Sequence, residues 1–240
     1  MSVSDENFAE TGCLICGKPI VYSLNARELR CEICGRSFTS NVSCEDGHYV
    51  CDKCHSSGFA EVLRMLFQSE EKDPMKLFLQ VVLLPSVHMH GPEHHAIVPA
   101  VLLTAYKNCG GKLDFAAALN QAIERGSHVP GGICGFWGAC GAAIGAGIYM
   151  SVLTGTTPYS VEEWSEPQRM TAHCLEKMAE TGGPRCCKRT SRTAIKTAVD
   201  FTRERFGISM PVGDFPCTHF DVNEECIHTR CPYYRGEKFK

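Results

Sequence analysis

Metal-capable residues come in four pairs through the first quarter of the chain. Cys13/Cys16, Cys31/Cys34 and Cys51/Cys54 are Cys-x-x-Cys pairs, and Cys44 stands four residues before His48. Zinc takes four soft or borderline ligands in a tetrahedron, and Cys-x-x-Cys sets two thiolates on one turn. Gly17 and Gly35 follow two of the knuckles, where glycine lets the backbone turn and point its N–H groups at the sulfurs. Eight ligands make two zinc ions the expected cofactors, with iron–sulfur as the other occupant of such thiols. The spacing fits two pairings. Sequential pairing puts Cys13, Cys16, Cys31 and Cys34 on one ion and Cys44, His48, Cys51 and Cys54 on the other. Interleaved pairing joins the first pair to the third and the second to the fourth. His55 is an alternative to His48.

A second set of cysteines has a different setting. Cys134 and Cys140 lie in VPGGICGFWGACGAAIGAG. On one helix, residues six apart sit about 240° around the axis, so the two sulfurs meet only if the segment before Cys140 is a loop. A thiol at a helix N-terminus is a better nucleophile or ligand. Cys186 and Cys187 are adjacent in GGPRCCKR, flanked by Arg185, Lys188 and Arg189, and cationic neighbours favour thiolate. Cys217, Cys226 and Cys231 follow, with Pro232 after the last. A proline after a ligand cysteine occurs in iron–sulfur loops, so these three are the expected cofactor-binding set. Cys109 and Cys174 read as core residues.

PSVHMHGPEHHAIVPA carries His88, His90, Glu93, His94 and His95. His90 to His94 matches the spelling of an inverted zinc-protease motif. That chemistry needs both histidines on one helical face, and Gly91-Pro92 puts the helix start between them. A pocket wall is the better reading, with His90 and His94 as acid–base groups or as binders of a metal or anion.

These residues need elements to hold them. The 240 residues carry a net charge of -3, 44% hydrophobic and 21% charged residues, which fits a soluble globular chain with no global pull toward nucleic acid. The acidic, polar start lacks a secretory signal, so the expected location is cytoplasmic, with thiols used for metal or redox work. Residues 129–161 carry no charged residue. A bilayer-spanning length is reached there, yet cysteines and repeated glycines favour one buried helix over 133–154 and no membrane partner.

The expected fold is mainly α: a helical domain of about seven helices with a small N-terminal zinc-knuckle module. Residues 1–56 form the module, with short strands at 20–23 and 36–39. Its core is too small to fold without metal. Residues 57–210 form the all-α domain. Asp73-Pro74, Pro92, Asp114 and Ser165 mark helix starts, and Thr190 or Ser191 the start of the last helix. Residues 211–240 form an irregular, cysteine-rich tail.

CGAAIGAG at 140–147, with Cys186-Cys187 and a downstream cysteine, resembles putative redox-active proteins with a C-GCAxxG-C-C signature. A Gly-Ala-Cys triplet stands here where those proteins have Gly-Cys-Ala. With its zinc knuckles and its HGPEHH, CGFWGACGAA and GGPRCCKR motifs, the whole chain is similar to an uncharacterised cysteine-rich family of anaerobic bacteria and archaea. The resemblance implies class and habitat rather than a reaction.

The leading functional expectation is a metal-dependent redox or sulfur-transfer protein, an oxidoreductase or sulfur transferase. Cys134, Cys140, Cys186 and Cys187 would be its reactive thiols or cluster ligands, with His90 and His94 for proton transfer and Arg185 supplying positive field. Its partners would be a small molecule, a sulfur carrier or a redox protein. The alternative is a zinc-binding regulatory or interaction module with a protein or nucleic-acid partner, although 13–55 lacks the basic–aromatic interleaving of a nucleic-acid surface.

Overall fold

The computed structural model describes residues 12–32, 36–55 and 59–236. The protein is mainly α-helical with one small antiparallel sheet. Strand β1 (Ile20–Arg30) pairs with β2 (Ser37–Cys44), from Ile20 opposite Cys44 to Arg30 opposite Ser37, with a bulge between Tyr22 and Arg27. The strands are longer than the segments expected from the sequence. Thr39, Val42 and their neighbours suit a pleated, half-buried ribbon, and the bulge takes up the extra residues 23–26 of β1.

A one-turn helix α1 (Asp52–His55) ends the module. Helices α2 (Phe59–Gln68) and α3 (Pro74–Val81) follow. Asp73 caps α3 by accepting from the N–H groups of Met75 and Lys76, and Pro74 fits the first turn because its missing N–H is not needed there. Next come α4 (Glu93–Asn108) and α5 (Phe115–Ser127), the latter capped by Asp114.

Helix α4 is the central element. Every residue from Glu93 to Tyr106 is buried, including two histidines and a glutamate. The sequence placed the fully buried helix at 133–154 instead, and that segment is not one helix. It divides into one turn, α6 (Ile133–Phe136), and α7 (Gly141–Thr154), with Cys140 as N-cap. The break follows from Gly138, whose backbone is left-handed at φ 67°, and it leaves Trp137 68% exposed. Among the described residues no helix is long and apolar enough to cross a membrane.

Helix α8 (Ser165–Thr181) packs on α7, and α9 (Cys187–Phe206) packs on α4, α7 and α8. Helix α9 begins at Cys187 rather than after Thr190, because the Cys186 sulfur itself caps it, accepting from Arg189 N at 3.4 Å. Residues 211–236 form turns and one 3-10 turn, His228–Arg230. They are tied to the helices by Arg192, which donates to the carbonyls of Phe215 (2.7 Å) and Pro216 (3.2 Å), and by Asp73, which accepts from Gly213 N at 2.7 Å.

Glycine allows α7 to approach α4. A Cβ at Gly145 would stand 2.6 Å from the His95 carbonyl oxygen and 3.0 Å from Pro99. Gly145→Ala should therefore force the helices apart and lower stability by about 1–3 kcal/mol. Gly135→Ala, where a Cβ meets nothing within 4 Å, is the control. Urea unfolding of both variants checks this, and a Gly145→Ala protein as stable as the control would contradict the close-packing account.

Candidate metal centres and thiol cavity

Two ligand groups form in the N-terminal module, and they are interleaved. Cys13, Cys16, Cys44 and His48 have ligand atoms all within 4.8 Å of one another, and Cys31, Cys51 and Cys54 form a second such group. Cys34, the fourth ligand expected from the sequence, lies outside the described residues. The Cys16 and Cys44 sulfurs are 3.8 Å apart, and His48 Nδ1 is 3.4 Å from Cys16 and 3.5 Å from Cys44. These separations fit the edges of a tetrahedral zinc site.

The sheet decides the pairing. Placing Cys44 opposite Ile20 sets it beside the first knuckle, and the bridge between Cys31 and Tyr49 brings Cys51 to the second. Gly17 adopts φ 74°, as the turn after Cys16 requires. Backbone N–H groups point at sulfur: Ile15 N to Cys13 at 3.4 Å and Cys51 N to Cys31 at 3.3 Å. Burial pushes the Cys44 thiol up, but N–H groups at His48 and Asp46 outweigh it and hold it at about 7. His55 is not in the first group, so His48 is the imidazole there.

Between the module and the helices lies a cavity of about 820 Å³. Its wall takes Tyr22, Asp52 and His55 from the module and His94 and His95 from α4. Cys134, Cys140, Cys186, Cys187, His90 and Arg185 also line it. Cys217, Cys226 and Cys231 do not. They line a separate cavity of about 20 Å³ that shares Cys186 with the first.

The thiols differ in environment. Burial drives Cys187 up to about 12 against the opposing pull of Arg185 and the Gly91 N–H. Burial and the neighbouring Cys140 raise Cys134, and burial raises Cys186. Cys140 sits at the positive end of α7. Arg185 stacks over the Tyr22 ring at 4.8 Å and lies 3.7 Å from Glu225.

Burial lowers the three α4-side histidines of the cavity, His90, His94 and His95. Burial lowers His94 far below its ordinary range, helped by Lys188, and its Nε2 is buried without a hydrogen bond. Burial and Arg185 lower His90, whose Nε2 lies 3.0 Å from Asn223 Oδ1 and 2.9 Å from Glu225 Oε2.

His95 is the residue that sequence reasoning left among the pocket-wall histidines without a role. Its Nδ1 donates to the Val129 carbonyl at 2.9 Å, so Nε2 carries the lone pair. That end of the ring presses on Gly141, where a Cβ would come within 2.3 Å of Nε2. An imidazole acceptor therefore sits beside the residue that follows Cys140. The signal in the sequence was the glycine directly after that cysteine.

His55, His88 and Glu93 form a third metal-capable group. Glu93 is 1% exposed. Its Oε1 accepts from His88 N at 2.9 Å and lies 3.3 Å from His88 Nδ1, and its Oε2 is 3.1 Å from His55 Nδ1. Burial works to raise the Glu93 carboxyl, but His55 and His88 hold it well below its usual range. Burial works to lower His55, and Glu93 outweighs it and raises it.

Residues 62–234 match the family described as a family of unknown function, DUF5714, and the chain belongs to that family. No curated protein and no solved structure matches the chain.

Interleaving has a simple consequence for metal content. A Cys44→Ser, Cys51→Ser double variant should lose both module ions, because each cysteine serves a different site. Sequential pairing would leave one ion, and metal analysis of the purified variant separates the two. The lowered histidines set a pH dependence. His90, His94 and His95 are lowered and His219 is held at about 3 by burial. The unfolded chain therefore binds more protons below about pH 6.5, and stability falls as pH drops from 7.5 to 5.5. The raised His55 opposes this, and Glu93 matters only below the carboxylate range. His94→Gln should flatten the urea-unfolding profile by up to about 1.4 kcal/mol per pH unit. An unchanged slope would mean that His94 is not buried neutral.

Proposed function

We propose that this chain is a metal-dependent redox or sulfur-transfer protein whose working thiols are Cys134, Cys140 and Cys187. One observation carries the reading: these thiols share the wall of one cavity with His94, His95 and Arg185. Soft thiols, an imidazole acceptor and a guanidinium suit attack on sulfur and support of a leaving thiolate.

Cys140 is the nucleophile in this reading. Helix α7 supports negative charge at its sulfur, and His95 Nε2 is the acceptor for its proton. The thiolate attacks the outer sulfur of a persulfide donor. The donor S–S bond breaks as a new S–S bond forms on Cys140, and the donor leaves as a thiolate that takes the proton from His95. Burial holds the Cys187 thiol up at about 12, so in a second step it gives its proton to the freed His95 as its sulfur attacks the outer sulfur of the Cys140 persulfide. That S–S bond breaks, and Cys140 leaves as a thiolate that takes the proton back. Arg185 steadies anionic sulfur at the cavity wall.

The module's metals would be structural zinc that sets this wall, since Tyr22 and Asp52 face the cavity and Asp52 Oδ2 accepts from Gly131 N at 3.3 Å. That employment of the module favours an enzyme over a free-standing recognition module. The reading places the protein in a reducing cytoplasm, in anaerobes, with a small-molecule persulfide or a sulfur carrier as partner.

The test is anaerobic incubation of reduced protein with a small-molecule persulfide, then alkylation and mass mapping. One sulfane sulfur per chain is expected on Cys140. Cys140→Ser should cut labelling at least about 100-fold, and His95→Gln should slow it and shift its pH profile. Equal labelling of the Cys140→Ser protein would sink the reading.

A further inference from the structure

We propose that Cys186, Cys217, Cys226 and Cys231 bind a [4Fe–4S] cluster at the junction of α9 with the C-terminal turns. This ligand set goes beyond the thiol chemistry of the large cavity and does not depend on it.

The four cysteines surround the small cavity together with Lys188, Arg189 and Arg192. Three of the sulfurs already accept backbone N–H groups two or three residues ahead. Arg189 N donates to Cys186, His219 N to Cys217 and His228 N to Cys226, each at 3.4 Å. Asn223 Nδ2 adds a second donor to Cys186 at 3.6 Å. The module's metal-capable cysteines Cys13 and Cys31 have the same kind of N–H to sulfur contact. Such donors stabilise thiolate ligands and tune a cluster.

Charge makes the stronger case. Lys188 is 2% exposed, Arg189 5% and Arg192 2%. Their hydrogen bonds go to backbone carbonyls: Lys188 to His88, Arg189 to Gly182 and Pro184, and Arg192 to Phe215 and Pro216. Among the described residues none of the three makes an ion pair with a carboxylate. Three cations buried together are costly without a carboxylate in contact, and Glu93 acts only on Lys188 and only from beyond ion-pair distance. Four neutral thiols do not offset them, whereas four thiolates around a [4Fe–4S]2+ core carry a net charge of about -2.

Spacing selects the cluster over zinc. A zinc tetrathiolate needs sulfurs about 3.8 Å apart, as in the module. No three of these four cysteines have sulfurs all within 4.8 Å of one another, unlike the groups in the module. A cubane spreads its four cysteine sulfurs to roughly 6–7 Å, because each binds a different iron at a corner of the core. Cys186 and Arg189 line both cavities, so the cluster would lie behind the wall that carries Cys187.

The experiment uses the full chain, purified and reconstituted anaerobically with iron and sulfide. About four irons and four sulfides per chain are expected, with a broad band near about 400 nm that bleaches on reduction. Single Cys217→Ser, Cys226→Ser and Cys231→Ser variants should each drop below about half of the wild-type iron while keeping the module's zinc, which reports that the fold survives. Cys134→Ser, Cys187→Ser should keep the full iron content. Zinc in place of iron after reconstitution, or full iron in the Cys217→Ser, Cys226→Ser double variant, would overturn the assignment. So would iron lost from the Cys134→Ser, Cys187→Ser protein. Persulfide labelling of Cys140 is read separately, so failure of one reading does not pass for failure of the other.

Discussion

The close contact of α7 with α4 is the constraint on which the rest of the cavity depends. Gly141 and Gly145 remove the side chains that would hold the helices apart, and the His95 ring and backbone fill the space. Interiors pack at near-crystalline density, so no other residue type fits there without movement. His95 is held in turn by its bond to the Val129 carbonyl, and Cys140, the N-cap of α7, lies on the cavity wall. Packing and chemistry use the same few atoms.

Two groups of buried charge adjoin each other at His88. Glu93 meets His55 and His88 across the junction with the module. Lys188, Arg189 and Arg192 stand among the cysteines on the other side of His88, whose carbonyl accepts from Lys188 at 2.8 Å. Buried ionic groups persist only where partners compensate their desolvation. The two clusters are thus linked through His88, and a change of charge in either would be felt in the other.

The adjacent pair Cys186 and Cys187 stands where the two thiol-lined cavities meet. Cys186 is the extended N-cap of α9 and Cys187 its first residue, so their side chains leave the backbone in different directions. Cys187 faces the large cavity with Cys134 and Cys140, and Cys186 reaches the small one with Cys217, Cys226 and Cys231. Cys186 lines both cavities and so joins the two environments.

Much of this was legible from residue order. Helical periodicity, Asp73 and Asp114 as caps and glycine stops gave the mainly α architecture, because those signals are local. The Cys-x-x-Cys spacing marked metal-capable residues for the same reason. The uninterrupted apolar run at 133–154 misled, since periodicity does not register the left-handed turn at Gly138 that splits it. Pairing among the module's ligands was open in the sequence, because either arrangement satisfies the spacing. Strand register settled it by placing Cys44 opposite Ile20. The role of His95, the union of His55 with Glu93 and the partition of the cysteines between two cavities came only from tertiary structure. Each depends on contacts between segments tens of residues or more apart, and no local rule carries such distances.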